Sequence, residues 1–247
     1  RLLSSLNLTL AAAENENPDA AILFDVMGAF PGGLAQQMLP MSEQPWLQAA
    51  LEVLLQHHLL SLHGEARRLS QAAPVSSMAS LRLKKRASLA PLWPVLQEVY
   101  QRLTATTDHM YDLLGTTETP LALRWLLLEE GNLLQALNYL CEEGSTSSAE
   151  CAGTITICLA KGFEFAGRAK TGLQKLSPTL VAFEKFWPQQ QAAALANRAM
   201  GNLSLRENDL TGARQHYNHA LAIFTAIDGK LGQANTLRAL GDLKMRN

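Results

Sequence analysis

The sequence predicts a mainly α-helical protein that ends in stacked helical hairpins. Its 247 residues are 47% hydrophobic, 17% charged and 6% aromatic, and Leu and Ala dominate. This composition favours a globular, helix-rich chain. Near the C-terminus the sequence repeats at an interval of forty residues, which is typical of stacked supersecondary units. A stretch near the front has the pattern of a strand pair.

Residues 1–82 are the first predicted module. DAAILFDVMGAF predicts a helix ended by Pro31-Gly32-Gly33, and QPWLQAALEVLLQHHLL predicts a second helix. LLSLHGEARRLS carries two short apolar segments around His63-Gly64-Glu65, the pattern of a β-hairpin, and Pro74 opens another helix. Helices followed by a small hairpin predict a winged-helix-like module.

Residues 83–247 are the second predicted module, a helical linker followed by repeats. The clearest repeat spans 190–229, and the next begins at 230 and is truncated. Ala194, Arg198, Ala199, Gly201, Leu203 and Arg206 return forty residues later as Ala234, Arg238, Ala239, Gly241, Leu243 and Arg246. Asp209 is placed to cap the second helix of the repeat, and Asp228-Gly229 ends it. Small side chains at Gly201 and Ala213 would let the two helices pack closely.

The apolar stripes indicate how the hairpins stack. The second helix of the clearest repeat has Ala213, Tyr217, Ala220, Leu221 and Phe224 at helical spacing. On the last helix, Leu237, Leu240 and Leu243 predict a stripe that covers the hairpin 190–226. We expect further repeats after residue 247. Because the outer face of 230–246 lacks their cover, we expect this final helix to be less ordered than 190–226 or to be buried in an intermolecular contact such as self-association.

The repeat resembles a tetratricopeptide repeat. The resemblance is carried by Met200-Gly201, Ala213, Tyr217, Ala220 and Leu240-Gly241-Asp242. The chain departs from that pattern in lacking the early Trp and in having Ser204 where Tyr is usual. The resemblance implies an α-α superhelix in which the first helices of successive repeats line a concave groove.

A second resemblance covers the front of the chain. ILFDVMGAFPGG, ALEVLLQHHLLSLHG and the hairpin are similar to the winged-helix module of signal-transduction ATPases with numerous domains, the STAND (NB-ARC-type) family. PLALRWLLLEEGNLLQALNYL resembles the linker between winged helix and repeats in bacterial regulators of that family. The resemblance implies a nucleotide-binding core upstream of Arg1. The chain lacks GxxxxGK[ST], and Ala73 stands where the family usually has a nucleotide-contacting His. We therefore expect no enzymatic activity and no cofactor in this fragment, with ATP or ADP bound only through an upstream domain.

Charge argues against nucleic acid as the partner. The net charge is −1, residues 1–82 hold four basic and seven acidic side chains, and the predicted recognition helix 45–58 has no Arg or Lys. Neutralising phosphates requires positive charge. The basic cluster RLKKR at 82–86 is expected to be a solvated helical face. A DNA-binding transcriptional regulator that uses the winged-helix module is the alternative function.

The sequence gives little support for disulfides, a membrane span, a metal site or catalysis. Three cysteines, an odd and sparse set, indicate reduced thiols in a cytoplasmic protein. No apolar run is long enough to cross a bilayer. His216 and His219 could share a helix face, but two histidines without a third ligand make a weak metal site. We predict no catalytic residues and no metal site.

The predicted partner-binding residues lie on the first helix of each repeat, because residues four apart share a helix face. They are Arg198, Asn202, Arg206, Asn235, Arg238, Asp242 and Arg246. In tetratricopeptide repeats this face lines the groove, and Arg198 and Asn202 fall where the family's peptide-carboxylate clamp carries Lys and Asn. A neighbouring clamp Asn is Ala239 here. We therefore expect a non-enzymatic sensor or scaffold that binds a protein or peptide in the groove, as a fragment of a larger signalling ATPase. Solvated charge on an amphipathic helix is the competing interpretation of these residues.

Overall fold

The computed structural model describes residues 2–65, 67–86 and 90–245. Within these residues it has eleven α-helices and a small three-stranded antiparallel sheet, which confirms the mainly α class. The chain divides into two compact units, residues 1–103 and 104–247. The boundary expected at residue 82 falls inside helix α4 (Ala73–Lys85), which packs against helix α2 (Pro18–Met27). The first compact unit therefore extends beyond the predicted module.

The first unit combines short helices with the small sheet. Its elements are α1 (Leu2–Glu16), α2, β1 (Leu34–Ala35), a 3-10 turn (Gln36–Met38), α3 (Trp46–Gln56), β2 (Ser61–His63), β3 (Arg68–Ser70), α4 and the first part of α5 (Trp93–Leu113). The predicted hairpin is confirmed as β2 and β3. Strand β1, which was not predicted, adds to β3 on the other side and pairs Leu34 with Leu69.

The segment after α2 differs from the expectation. The helix ends at Met27, and Gly33, rather than ending the helix, leads into β1 with a φ of 72°. A Cβ at Gly33 would lie 2.4 Å from the carbonyl oxygen of Leu69. Glycine is needed at this position for both its left-handed backbone and the close approach of β3.

The basic cluster RLKKR is not simply a solvated face, because two of its arginines hold a buried carboxylate. Asp25, on α2, is 1% exposed. Its Oδ1 accepts from Arg82 Nε at 2.7 Å, and its Oδ2 lies 2.7 Å from a terminal nitrogen of Arg86. These contacts tie α4 to α2.

The second unit is a packed helical array. After the end of α5 it contains α6 (Thr119–Glu143), α7 (Thr146–Phe165), α8 (Ala169–Phe186), α9 (Gln191–Arg206), α10 (Leu210–Ala226) and α11 (Lys230–Lys244). Each of these helices packs against the next one in the chain. Contacts also join α6 to α8, α7 to α9 and α9 to α11. The helices of these three alternate pairs therefore lie side by side.

Three of the turns in this array share one geometry. Gly167, Asn208 and Asp228 have positive φ angles of 66°, 60° and 54°. In each turn the next residue donates its N–H to the carbonyl five residues back, at 2.8–2.9 Å, as in a Schellman motif. The predicted cap is confirmed, since the side chain of Asp209 accepts from the N–H of Gly212 at 2.9 Å.

The hairpin of α9 and α10 packs through the predicted small residue Gly201, whose neighbour is the ring of Tyr217. Ala213, Tyr217, Ala220 and Phe224 are buried as predicted, but Leu221 is only half-buried, and Ile223 is buried instead. The last stripe also differs from the prediction: Leu243 is buried and Leu240 partly so, whereas Leu237 is 55% exposed. Residues spaced three apart do not stay on one face of a helix, so Leu237 turns away from the core. The residues that face the core are Thr236, Leu240 and Leu243.

Candidate functional site

The candidate site is a groove with a volume of about 550 Å³ in the second unit. It is lined by α7, α9 and α11, with Tyr217 contributed from α10. Its lining residues are Glu164, Arg198, Asn202, Leu205, Arg206, Tyr217, Asn235, Arg238, Ala239 and Asp242. Six of the seven residues predicted from the sequence are therefore brought together; Arg246 lies outside the described residues.

Helix packing explains why these side chains face the groove. Helix α9 contacts α7, α8 and α10, and those contacts bury Ala193, Met200 and Leu203. Arg198 is half-buried, whereas Asn202 and Arg206 are exposed along the remaining face. The equivalent face of α11, one repeat later, presents Asn235, Arg238 and Asp242.

Arg206 has a partner inside the groove that the sequence did not indicate. Its guanidinium contacts Glu164 Oε1 through Nε at 2.8 Å and through a terminal nitrogen at 2.5 Å. Glu164 is on α7, 42 residues earlier in the chain. This ion pair bridges α7 and α9 and occupies one of the three arginines of the groove.

The other two arginines have no such partner. Within the described part of the chain, neither Arg198 nor Arg238 makes an ion pair or a side-chain hydrogen bond, and Asp242 is equally unpaired. Arg238 and Asp242 are both exposed. Counting only contacts between described residues, the groove therefore presents two cations and one anion without a protein partner.

Tyr217 orients one of the groove's amides. Its hydroxyl donates to Asn202 Oδ1 at 2.8 Å, and its ring is 1% exposed. The oxygen of the Asn202 amide is thereby engaged, and the NH₂ group has no acceptor among the described residues. Asn202 consequently faces the groove as a donor. The sequence identified Tyr217 only as a member of the apolar stripe.

A second cavity of about 220 Å³ adjoins the groove and shares Glu164, Arg198 and Asn202 with it. On its far side, Lys161 donates to the carbonyl of Tyr111 at 3.1 Å and lies 3.9 Å from the centre of that ring. This lysine is held by the protein itself, so the groove can extend toward α5 without adding another free cation.

The other groups considered from the sequence are the possible metal ligands His216 and His219 and the three cysteines. Among the described residues, no group of three or more His, Cys, Asp or Glu side chains could hold a metal ion. Burial and the neighbouring His219 lower the pKa of His216, whose Nδ1 lies 3.4 Å from Asn197 Oδ1. All three cysteines are free thiols. Burial raises the pKa of Cys141 to about 11 and that of Cys158 to about 12.

Two further findings concern possible membrane spans and the similarity of the chain to known proteins. In the described part of the chain, no helix combines the length and the apolar character needed to cross a membrane. The chain matches no protein-family model and no curated protein sequence at a significant level.

Proposed function

We propose that residues 104–247 form a tetratricopeptide-like sensor or scaffold that binds a segment of a partner protein in the groove of α7, α9 and α11. The observation that carries this proposal is the convergence of equivalent side chains from successive repeat units on one groove, where Arg198 and Arg238 have no ion-pair partner within the described residues. Solvated charge scattered over a helical surface would not require such convergence.

We further propose that the first unit is winged-helix-like and that the chain belongs to a larger signalling ATPase in the cytoplasm. A groove ligand would bias the upstream nucleotide switch through different affinities for its two states. The support is the order of the elements: helices with a small sheet, then a long helix pair, then the array. The three unpaired thiols agree with a reducing compartment.

The alternative, DNA binding by the first unit, has less support. Helix α3 carries no Arg or Lys. In the one basic cluster, Arg82 and Arg86 already neutralise the buried carboxylate of Asp25. A salt-dependent shift of duplex DNA by the chain would favour this alternative.

A steric block tests the groove without changing its charge. Random decapeptides with amidated C-termini are panned on the immobilised protein, and the enriched peptides are measured by fluorescence anisotropy. Asn235→Trp places a large ring in the groove, whereas Asn218→Trp places the same ring on the exposed surface of α10. We expect a loss of affinity of tenfold or more for Asn235→Trp and little change for Asn218→Trp. Equal affinities, or no enriched peptide, would refute the proposal.

A further inference from the structure

The groove has two levels of polar side chains, and the first level is cationic. Arg198 and Arg238 are forty residues apart, so they occupy equivalent places on α9 and α11, which contact each other. Neither has an ion-pair partner among the described residues. A guanidinium matches a carboxylate in charge and in planar geometry. Two unpaired guanidiniums in one groove therefore favour a ligand with two carboxylates.

The spacing of the two helices restricts the ligand further. Packed helices lie about 8–10 Å apart. A polyproline II segment advances about 3.1 Å per residue and returns to the same face every three residues, so residues i and i+3 are separated by about 9 Å on one face. An extended segment that crosses α9 and α11 would therefore meet the two arginines with acidic residues at i and i+3.

The second level, one helical turn along, carries a donor and an acceptor. Asn202 offers its NH₂ group because the hydroxyl of Tyr217 holds its Oδ1 at 2.8 Å. Asp242 occupies the equivalent place on α11 and is an exposed acceptor. A donor on one wall and an acceptor on the other match the C=O and N–H groups of an extended main chain.

We propose that the groove is selective for an extended acidic segment with carboxylates at i and i+3, and that Tyr217 is a positioning residue that keeps Asn202 a donor to the segment's main chain. This inference rests on the proposed function of the groove. It adds the chemical class of the ligand and a role for a buried side chain. Because Arg206 is engaged by Glu164, Arg198 and Arg238 set the selectivity.

A positional-scanning library of amidated hexapeptides tests the ligand class. The amidated C-terminus removes the terminal carboxylate, so any acidic preference comes from side chains. We expect Asp and Glu to be favoured over Gln and Lys at two positions three residues apart. In the best peptide, moving the two acids to adjacent positions should weaken binding at least fivefold. Arg198→Glu should weaken binding at least tenfold. Arg214→Glu, on the exposed surface of α10, should have little effect.

A double-mutant cycle tests the positioning role. Tyr217→Phe keeps the ring and removes the hydroxyl, and we expect it to weaken peptide binding about threefold to tenfold. In the Asn202→Ala background the same change should have no further effect, since Tyr217 acts through that amide. A merely structural role would lower the unfolding midpoint and weaken binding equally in both backgrounds, and that result would overturn the positioning claim.

The outcomes separate this inference from the function on which it rests. Peptides that bind, are blocked by Asn235→Trp and are apolar or basic would refute the acidic selectivity and leave the groove function standing. Equal binding of the adjacent-acid peptide would refute the spacing. If Asn235→Trp blocks no peptide, both proposals fall.

Discussion

The same substitution at two equivalent glycines should have opposite effects on stability. Gly201 and Gly241 are forty residues apart and occupy the same place in successive repeat units. Both lie within helices, α9 and α11. Replacing a helical glycine with alanine raises the unfolding free energy by about 1 kcal/mol, through backbone entropy and solvation. Any difference between the two sites must therefore come from what the new Cβ meets.

The surroundings of the two sites differ sharply. At Gly201 a Cβ would lie 2.5 Å from Cε1 and 2.6 Å from Cδ1 of Tyr217, a ring that is 1% exposed. Overpacking of this kind costs about 1–3 kcal/mol, so Gly201→Ala should be destabilising by about 0–2 kcal/mol after the gain in helix propensity. At Gly241 a Cβ would have no atom of the described residues within 4 Å, apart from its chain neighbours and the backbone of its own helix, so Gly241→Ala should be stabilising by about 0.5–1 kcal/mol.

Urea unfolding of the two variants, followed by circular dichroism, measures the difference. We expect the two midpoints to move in opposite directions, with unfolding free energies about 1–3 kcal/mol apart. Gly201→Ala should also weaken peptide binding, because a displaced Tyr217 ring would release Asn202, whereas Gly241→Ala should not. Midpoint shifts of the same sign and size would refute the close packing of Gly201 on Tyr217.

Three further predictions concern buried ionisable groups. Asp25→Asn should lower the unfolding free energy by about 1–2 kcal/mol in urea denaturation, because it weakens the charged hydrogen bonds to Arg82 and Arg86 but leaves those arginines partly exposed to water. Cys158 should react with iodoacetamide only as the chain unfolds, since burial raises its pKa to about 12; rapid labelling in native buffer, detected by mass spectrometry, would contradict this. Burial lowers the pKa of His216, so the unfolded state binds the proton more tightly. Its contribution to stability should therefore be present above the ordinary histidine pKa and be lost as pH falls through the lower folded-state pKa. His216→Asn should show a smaller loss of unfolding free energy between pH 7.5 and 5; an unchanged loss would exclude this histidine as a source.

The site was predictable from sequence where it depends on periodicity. Residues four apart share a face of a helix, so Arg198, Asn202 and Arg206 could be grouped from their spacing alone. The forty-residue interval then related Arg238 and Asp242 to the same face of the next unit. These inferences needed the helix geometry and the stacking of equivalent units, and both are fixed by local pattern.

The sequence did not predict contacts between residues that are far apart in the chain. Glu164 meets Arg206 only because α7 and α9 lie side by side, and nothing in the spacing of 42 residues indicates an ion pair. Asp25 likewise meets Arg82 and Arg86 across 57 and 61 residues. Strand β1 has two residues, too few to show an alternating pattern. Each of these features is set by tertiary packing rather than by local propensity.

The repeat itself separates positions needed for stacking from positions that stacking does not explain. Leu203 and its equivalent Leu243 are both fully buried, so the hydrophobic core accounts for their recurrence. Arg198 and Arg238 recur at the same interval, yet neither has an ion-pair partner within the described residues and Arg238 is exposed. Exposed charges without partners contribute little to stability. Folding gives little reason for an arginine to return at this place, and the ligand that we propose, which would contact both units, accounts for its recurrence.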